Sequence, residues 1–579
     1  MQRPVEKLLF KPNASGRLSV CLAYPNEYRV AMANLGYQTV YRILATTPGV
    51  VCERVCLPVD GTRPASVESG RSPGDFDVLA FSLSFESDYP NIIRMLDASG
   101  IPARTEQRRA SGREWPLLVA GGPATFLNPE PVAPFFDVFL IGEGEEMIPE
   151  AFSAAAAGSG VTRNELLAQL SSVEGAYRPD RYRPVYEEAD GRGDLVAFEP
   201  LAGAPARVRR RYIEDLDRYP TTTSVIAPDS VFGDYYLVEA SRGCEWGCRF
   251  CAAGFMYRPV RHRSAGGVTQ DALAGLAGAA TDAVGKLETV GLVGAEMASH
   301  PGIASTCERV VAVGGRVSPS SLKADMISPR LAAALGAGGT RSATVAPEAG
   351  SERMRRVINK NLTEEEILRA TDLLVGEHVD SLKLYFMCAL PTETEDDLQG
   401  IVDLTASIRE RMIGTGRARG RIGGIKVSVN PFVPKPWTPF QWDAMLPVSE
   451  AQLRIAGLRR SFGRLPNVTM ESESPREAYL QTLLSRGDRR VADIVESLAR
   501  SDQGWWQQLQ AMRRGRHESV DLDPDRFVTH EYAADALLPW DFIDHHIDKR
   551  YLLLERRRAF AERETEPCDV STCRTCGAC

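Results

Sequence analysis

The polar and apolar positions in the first part of the chain follow two alternating periodicities. Short apolar runs with the length of buried strands are separated by segments with helical spacing. Buried strands that alternate with helices are typical of a parallel, doubly wound sheet. We therefore predict an α/β, Rossmann-like domain over residues 17–155. Its strands are predicted at 17–24, 77–83, 116–120 and 137–141, and a helix at 36–44.

The same alternation returns over residues 235–445. Six strands are predicted there, at 235–240, 289–293, 316–318, 342–346, 381–387 and 424–429. The stretch between the two regions, 156–234, is interrupted by prolines and is predicted to be a connector. Beyond residue 446 apolar residues recur with helical spacing, so 446–579 is predicted to be a helical C-terminal region.

Composition and charge narrow the class of protein. A chain of 579 residues, 44% hydrophobic and 25% charged, is too long for one core and fits a globular protein of several domains. No run approaches the roughly 18 apolar residues of a membrane span, and no signal-like region follows the N-terminus. We expect a cytoplasmic protein without a membrane partner. Basic runs at 207–211 and 556–558 are compatible with RNA, but a net charge of −8 does not indicate it.

Seven of the twelve cysteines lie in two tight groups, which argues for metal or cluster ligation rather than disulfides. The first group, Cys244, Cys248 and Cys251, follows the predicted strand 235–240 with C-x3-C-x2-C spacing. Three thiolates on one tight loop can hold three corners of a cubic iron–sulfur cluster and leave the fourth iron open. Gly243 lets the backbone curl around such a cluster.

The second group ends the chain. It consists of Cys568, Cys573, Cys576 and Cys579. Four thiolates suit a closed structural zinc site, and an auxiliary iron–sulfur cluster is equally compatible. The terminal carboxylate beside Cys579 leaves open two further interpretations, that the tail is mobile or that it takes part in redox exchange instead.

The first cysteine array and its surroundings resemble the radical S-adenosylmethionine (SAM) superfamily, in which the open iron chelates SAM. The six predicted strands match the partial (β/α)6 barrel of that superfamily, with the cysteine loop at the carboxyl end of the first strand, where barrels of this type place their chemistry. A zinc site would need a fourth ligand. His262 is nearby, but a zinc site leaves the other strand-end motifs unexplained.

The resemblance also implies SAM ligands at the later strand ends. Val-Gly-Ala-Glu at 293–296 stands at the place of a Gly-Gly-Glu turn that meets the methionyl amino group, with alanine replacing the second glycine; this implicates Glu296. Ser320 and Lys323 follow the third strand and could face the SAM carboxylate. Ala-Pro-Glu-Ala-Gly-Ser-Glu-Arg at 346–353 resembles a segment that contacts ribose and methionine. It implicates Glu348 and Ser351.

Two of these assignments have alternatives. Glu348 could instead be a carboxylate stabilised at a helix N-terminus. The resemblance places adenine between the backbone of Leu-Pro-Thr-Glu-Thr at 390–394, the sixth strand, and Phe250 or Tyr257. Both aromatic residues could equally be ordinary barrel packing.

The N-terminal domain resembles the cobalamin-binding domain that precedes many radical SAM barrels. In that family, segments like those around Ser82 and the Gly121-Gly122 turn line the nucleotide tail. The motif that supplies the lower histidine ligand of cobalt is missing, because the first histidine of the chain is His262. Cobalamin bound without that ligand and a domain that has lost the cofactor both remain open.

The resemblance as a whole, to cobalamin-domain-containing and methylthiotransferase-like radical SAM proteins, implies an enzyme. Such an enzyme reductively cleaves SAM to a 5′-deoxyadenosyl radical and receives its electron from a flavodoxin or ferredoxin. A methyl or methylthio transferase acting on an unknown substrate is expected. The alternative is a non-catalytic iron–sulfur or SAM-binding regulatory protein. His545 and His546 are further candidates for acid/base catalysis or ligation, although surface histidines at helix ends are commoner.

Overall fold

The computed structural model describes residues 4–579 except 60, 158–161, 188–192, 202, 279–286, 419 and 421. Six strands form the N-terminal sheet: β1 (Leu18–Tyr24), β2 (Val50–Cys56), β3 (Val78–Ser82), β4 (Leu117–Gly121), β5 (Val138–Leu140) and β6 (Ala176–Tyr177). Their order is β2-β1-β3-β4-β5-β6, and every pair is parallel except β5–β6. The predicted doubly wound sheet is thus confirmed. Strand β2 and the antiparallel edge strand β6 add to the four predicted strands.

The helices of this part of the chain cover both faces of the sheet. They are Tyr28–Ala31, Leu35–Thr46, Tyr89–Ala98, Thr105–Ala110, Pro123–Leu127, Gly144–Ala157 and Arg163–Leu170. The strand order reverses direction at β1, between its neighbours β2 and β3, so the carboxyl ends of β1 and β3 border a topological switch point. Open α/β sheets bind their ligands in the crevice at such a point.

The second unit is a partial barrel of seven parallel strands. They are β7 (Tyr235–Glu239), β8 (Thr289–Val293), β9 (Arg316–Pro319), β10 (Ser342–Glu348), β11 (Ser381–Cys388), β12 (Gly424–Pro431) and β13 (Val468–Glu471). A bridge between Leu322 and Val345 joins the first three strands to the last four. Six of these strands lie where the sequence predicts them. The seventh, β13, falls inside the region predicted to be helical, so the barrel sheet extends past residue 445.

Helices pack against the barrel strands and continue beyond them. Those of the barrel are Ala253–Met256, Ala265–Gly278, Ile303–Ala312, Pro329–Ala337, Glu352–Val357, Glu364–Gly376, Glu395–Ala418 and Val448–Phe462. Those of the C-terminal region are Pro475–Arg486, Val491–Arg500, Trp505–Arg513, Asp525–Val528 and Lys549–Phe560. In the described part of the chain, no helix is both long and apolar enough to cross a membrane.

The predicted connector, part of which lies outside the described residues, contains short strands that tie distant regions together. These and the remaining short strands are Lys7–Leu8, Tyr182–Tyr186, Leu195–Pro200, Val208–Arg209, Val225–Ile226, Ser241–Arg242, Arg261–His262 and Ile543–Asp544. Val208–Arg209 pairs in parallel with Ile543–Asp544 near the end of the chain. Val225–Ile226 pairs with Lys7–Leu8 at its start. The connector is therefore part of the folded body.

The C-terminal helices cover one face of the N-terminal sheet. One apolar cluster runs from Phe81 of that sheet to Ile494 and Trp540 of the C-terminal region. Polar contacts reinforce this packing, since Arg489 Nε donates to Glu130 Oε2 at 3.0 Å and Asn128 Nδ2 donates to the carbonyl of Gly487 at 2.7 Å. The N-terminal sheet, the barrel and the C-terminal region thus form one continuous body.

Candidate functional site

The first cysteine loop leaves the carboxyl end of strand β7, as predicted. Gly243 has φ +85°, and a Cβ there would lie 2.8 Å from the carbonyl oxygen of Tyr257, so only glycine fits without a shift. The amide of Cys251 donates to the carbonyl of Cys248 at 3.0 Å and closes the loop. Cys248 is buried, while Cys244 and Cys251 are half-buried.

The three thiols are free and affect one another electrostatically. Burial raises the pKa of the Cys248 thiol to about 11, although Lys360 lowers it. Burial also raises the pKa of Cys251 and Cys244. A bound cationic centre would reverse this tendency, because a coordinated thiol is deprotonated. The loop therefore fits a group that brings its own positive charge.

The environment of the loop does not suit a single zinc ion. His262, the candidate fourth ligand, has its Nε2 atom 3.0 Å from Glu245 Oε1 and is held by that carboxylate. A cubic cluster holds its thiolates at separate corners, so three thiols on one loop without a fourth protein ligand fit it better.

Glu296 and Ser320 tie together the turns after strands β8 and β9. The Glu296 carboxylate accepts from the amides of Ala298 at 2.6 Å, Ser299 at 2.8 Å and Lys323 at 3.1 Å. The Ser320 hydroxyl donates to the carbonyl of Gly294 at 2.7 Å. Both residues lie at the strand ends where the sequence predicts ligands. Their present partners are backbone groups, so their contact with SAM stays a prediction.

Lys323 lies inside the site but has an internal partner. Its Nζ atom is 2.6 Å from Asp325 Oδ2, donates to the carbonyl of Asn361 at 3.1 Å and stands 3.6 Å from the centre of the Trp246 ring. The ammonium is already neutralised by Asp325. This arrangement does not support the predicted role of Lys323 as the cation facing a SAM carboxylate.

Glu348 ends strand β10 at an irregularity in its register with β11 and has φ +67°. The helix that follows begins only after Ser351, so Glu348 is not in its first turn and the alternative as a helix N-terminal carboxylate is wrong. Lys360 Nζ lies 3.6 Å from Glu348 Oε1. Burial raises the pKa of Glu348, and Lys360 lowers it.

Ser351 acts as the N-cap of the helix Glu352–Val357. Its hydroxyl accepts from the amide of Met354 at 3.1 Å and donates to Asp397 Oδ1 at 2.5 Å. Both capacities of the hydroxyl are therefore used for the local fold, as is usual for an N-cap serine. The partners of Ser351 are thus residues of the protein itself, and its contact with SAM stays a prediction.

The two aromatic candidates for adenine lie apart. Phe250 packs against an apolar cluster that includes Leu390 of the Leu-Pro-Thr-Glu-Thr turn and Phe432 after strand β12, as predicted for an adenine wall. Tyr257 instead lines a cavity of the N-terminal domain, where its ring is 6.4 Å from that of Phe126. Phe250 thus lies beside the segments predicted to border adenine, whereas Tyr257 does not. The contact of Phe250 with adenine stays a prediction, because ordinary barrel packing gives the same surroundings.

Sequence reasoning missed two charged groups of the site. Lys360 comes from the turn between two helices and is electrostatically coupled to all three cysteines of the loop. Glu393 accepts from the amide of Ala389 at 2.6 Å and is 2.5 Å from Arg454 Nη1. Burial raises the pKa of Glu393 to about 7. Lys360 is flanked by two asparagines, Asn359 and Asn361, which both have positive φ. This pair of asparagines indicates a turn and was the sequence signal that could have pointed to Lys360.

A cavity of about 510 Å³ lies between the N-terminal sheet and the barrel. Its volume is that of a small-molecule site. The predicted nucleotide-tail residues Ser82, Gly121 and Gly122 all line it. Gly122 has φ +112°, and a Cβ there would lie 2.6 Å from the carbonyl oxygen of Leu83. The structure thus brings these three residues together at the switch point of the sheet.

The barrel contributes the opposite wall of this cavity. Glu239 and Val293, at the ends of strands β7 and β8, line it together with Arg242. Arg242 Nη1 is 2.9 Å from the buried Glu143 Oε2, and Arg261 Nη2 is 2.7 Å from Glu143 Oε1. Burial alone would raise the pKa of Glu143, but Arg242 and Arg261 lower it. This charge network joins the cavity to the strand that carries the cysteine loop.

The two C-terminal histidines are structural. His545 is fully buried, and its Nε2 atom lies 2.7 Å from the carbonyl oxygen of Phe126. His546 Nε2 lies 3.0 Å from the carbonyl oxygen of Arg210. Both imidazoles therefore join the C-terminal region to earlier parts of the chain, which makes their candidate role in catalysis or ligation unsupported.

The local basic runs have acidic partners within the fold. Arg210 Nη1 is 3.9 Å from Glu143, and Arg556 Nη2 is 2.7 Å from Asp443 Oδ1. Arg558 Nη1 is 2.8 Å from Glu555 Oε1. Much of this positive charge is thus used internally.

Two family models match the chain. The model for radical SAM proteins, N-terminal, matches residues 36–179, and that for the radical SAM superfamily matches residues 238–405. The second range includes strand β8 and the cysteine loop, where the geometry fits a cluster. Residues 36–179 and 238–405 therefore match radical SAM domains, and the second match implies a 4Fe–4S cluster and SAM.

The chain is also similar to individual proteins. An uncharacterized protein of Methanocaldococcus jannaschii is 29% identical over 424 residues, which make up 73% of this chain and 80% of that protein. A structure of the cobalamin-dependent S-adenosylmethionine radical enzyme OxsB with aqua-cobalamin bound matches 94% of this chain and 79% of that chain, with 13% identity and a TM-score of 0.50. This similarity shows a shared fold.

Two further solved structures are less similar. OxsB with aqua-cobalamin and SAM bound matches 67% of this chain at 15% identity and a TM-score of 0.46, and the match spans about half, 51%, of that chain. The radical SAM methyltransferase TsrM of Kitasatospora setae, with tryptophan substrate and a SAM analog bound, matches 73% of this chain and 74% of that chain at 13% identity and a TM-score of 0.45.

Proposed function

We propose that this protein is a cobalamin-dependent radical SAM enzyme that reductively cleaves SAM and transfers a methyl group to an unknown substrate. The observation that carries the proposal is the shared cavity of about 510 Å³. One wall is the carboxyl edge of the N-terminal sheet, and the other is formed by Glu239 and Val293 at the ends of the first two barrel strands. A cofactor held there would face the mouth of the barrel.

Cys244, Cys248 and Cys251 would hold the cluster, and the glycines of the cavity would hold the tail of cobalamin. When bound, the cluster supplies the electron for cleavage of SAM, and cobalamin supplies a carrier for a methyl group. The chain itself orients these groups and excludes water. The close approach of Gly122 to Leu83 leaves a cradle that a side chain would fill. No histidine is among the residues described as lining the cavity, so cobalamin bound there would have no lower histidine ligand from this lining.

Lys360 is the cation best placed to meet the carboxylate of SAM. Lys323 is neutralised by Asp325 at 2.6 Å, whereas Lys360 stands 3.6 Å from its partner Glu348. Lys360 also interacts electrostatically with all three cysteines that would hold the cluster. A carboxylate that approaches the open iron would therefore approach this ammonium as well.

The experiment that tests the proposal uses the full chain, purified without oxygen and reconstituted with iron, sulfide and cobalamin. We expect the reduced protein to form 5′-deoxyadenosine or S-adenosylhomocysteine from SAM and to retain cobalt. A flavodoxin or ferredoxin is proposed as the natural electron donor. The Cys248→Ala variant should lose SAM cleavage. The matched control Cys307→Ala, at a buried free cysteine in a barrel helix, should retain it.

Two outcomes would overturn the proposal. If SAM binds to the cluster-loaded, reduced protein but is not cleaved, the protein is not such an enzyme. That result would favour the alternative, a regulatory protein that binds an iron–sulfur cluster or SAM. If SAM is cleaved but the protein purified after growth with cobalamin contains no cobalt, the proposed dependence on cobalamin is wrong. Methylthio transfer is then the second candidate, since the four cysteines of the C-terminal tail offer a place for a second cluster.

A further inference from the structure

The C-terminal tail lies against the loop that carries the first three cysteines. The amide of Cys568 donates to the carbonyl of Glu245, the neighbour of Cys244, at 2.8 Å. Asn359 bridges the same two segments, because its Nδ2 atom donates to the carbonyl of Gly247 at 3.2 Å and its Oδ1 atom accepts from the amide of Thr565 at 2.7 Å. The two cysteine groups are thus fixed next to each other.

The four cysteines of the tail lie near enough to interact electrostatically. Cys576 is buried, Cys568 and Cys573 are half-buried, and Cys579 is exposed. The thiol of Cys568 interacts electrostatically with those of the other three. All four are free thiols. Four thiols that converge without forming disulfides are a ligand set for a metal centre.

The backbone of the tail is held by the body of the protein. The amide of Asp548 donates to the carbonyl of Cys576 at 2.9 Å. Gly577 follows with φ +87°, which lets the chain turn between Cys576 and Cys579. The amide of Cys573 donates to the carbonyl of Asp569 at 2.8 Å. These bonds give the cysteine loops a defined shape.

A buried cation stands between the two cysteine groups. Arg258 is almost fully buried, and its guanidinium interacts electrostatically with Cys576. A Cβ on Gly247 of the first loop would lie 3.7 Å from Nη2 of the same guanidinium. A cluster with four thiolate ligands carries net negative charge, which a buried guanidinium stabilises.

We propose that Cys568, Cys573, Cys576 and Cys579 hold a second iron–sulfur cluster, docked against the loop of the first. The tail docks against the loop of the first three cysteines, so a centre held there would lie beside the first cluster. An iron–sulfur cluster at that place can exchange electrons with the first cluster, whereas zinc has no redox chemistry. The inference adds a second centre to the proposed function, and it rests on the tail cysteines and their contacts with the first loop rather than on SAM cleavage.

The test measures iron, sulfide and zinc per chain in anaerobically reconstituted full-length protein. The tail variant carries Cys568→Ser, Cys573→Ser, Cys576→Ser and Cys579→Ser, and the loop variant carries Cys244→Ser, Cys248→Ser and Cys251→Ser. We expect each variant to bind about half the iron of the wild type if both sites hold cubic clusters. The control Cys388→Ser, at a buried free cysteine, should bind the wild-type amount.

Wild-type iron content in the tail variant would overturn the inference, and so would stoichiometric zinc in the wild type that the tail variant loses. Mössbauer and electron paramagnetic resonance spectra of the wild type provide a readout that needs no variant. They should show two distinct clusters, only one of which changes when SAM is added. A single cluster in these spectra would overturn the inference even if the tail variant fails to fold. SAM cleavage tests the proposed function separately, since it depends on the loop.

Discussion

Lys360 and Glu348 form an ion pair at the base of the cysteine loop, with Nζ 3.6 Å from Oε1 and side chains that are 12% and 16% exposed. Glu348 reaches this position because strand β10 ends in a register irregularity with φ +67°. Lys360 comes from the turn after the next short helix. Since Lys360 is coupled to Cys244, Cys248 and Cys251, the pair sets the charge beside the loop.

Removing one member of this pair should destabilise the protein. Glu348→Gln leaves a largely buried ammonium without its carboxylate, and we expect a loss of about 1–3 kcal/mol, below the cost for a fully buried pair because both side chains keep some exposure. Urea unfolding measures this loss. Glu365→Gln, at an exposed position in the first turn of the helix Glu364–Gly376, is the control. If the losses of Glu348→Gln and Lys360→Met simply add in the double variant, the two residues are not coupled.

A methyl group at Gly122 should close the cradle of the proposed cobalamin site. Its Cβ would meet the carbonyl oxygen of Leu83 at 2.6 Å, so the Gly121-Gly122 turn must shift. We expect Gly122→Ala to retain less cobalamin than the wild type, measured by absorbance after gel filtration. Gly100→Ala is the matched control, because Gly100 also has positive φ (+71°) but open space around its Cβ position. Equal retention by both variants would contradict the assignment of this cavity.

The buried His545 should make the protein sensitive to acid. Burial and the nearby Arg210 lower the pKa of His545 to about 3, from 6.5. The folded state keeps the imidazole neutral while the unfolded state takes up a proton, so stability is present above pH 6.5 and is lost as the pH falls towards 3. By pH 5 the loss reaches about 2 kcal/mol.

Urea unfolding between pH 7 and pH 4.5 measures this effect as a difference between wild type and His545→Gln. The variant lacks the titrating group, so its stability should fall less steeply. His530→Gln, at an exposed histidine of the same region, should follow the wild type. Parallel curves for the wild type and His545→Gln would show that this imidazole does not control the acid response.

The strands that the sequence analysis missed were hidden by their polar residues. Strand β2 contains Glu53 and Arg54, which interrupt its apolar pattern. Both are buried in the fold, where Arg54 pairs with Glu68 at 2.6 Å. Strand β13 is a half-exposed edge strand that is defined by its backbone pairing with β12 rather than by an apolar run. Periodicity alone cannot reveal either strand. The buried charges of β2 are stabilised by side chains from other segments, and β13 is defined by hydrogen bonds to a neighbouring strand.

The residues of the candidate site show the same difference between features set by local sequence and features set by distant contacts. The spacing of Cys244, Cys248 and Cys251 predicted their loop, because local sequence determines that ligand set. Ser351 shows the limit, since its sequence context indicates a SAM contact but did not reveal that its hydroxyl caps the following helix and bonds to Asp397. Lys360 was missed because its partner Glu348 belongs to a different element. Charges that meet through tertiary packing leave no pattern in a single sequence.

The buried ion pair between Arg249 and Glu555 should control how firmly the tail is attached to the cysteine loop. Arg249 Nη2 is 3.1 Å from Glu555 Oε2, and the two side chains are 0% and 1% exposed. The same nitrogen donates to the carbonyl of Arg563 at 2.7 Å, at the start of the tail. Breaking a buried pair typically costs about 3–5 kcal/mol, so Arg249→Met should loosen the segment from 563 to 579 before the rest of the protein unfolds. Limited proteolysis followed by mass spectrometry should then detect cleavage in the tail of the variant under conditions where the wild type stays intact.

Arg550→Met is the matched control, because Arg550 is 90% exposed and its pair with Asp548 lies on the surface of the same helix. If Arg249→Met leaves the tail as resistant as this control does, the tail is held by its other hydrogen bonds to the loop and not by this pair.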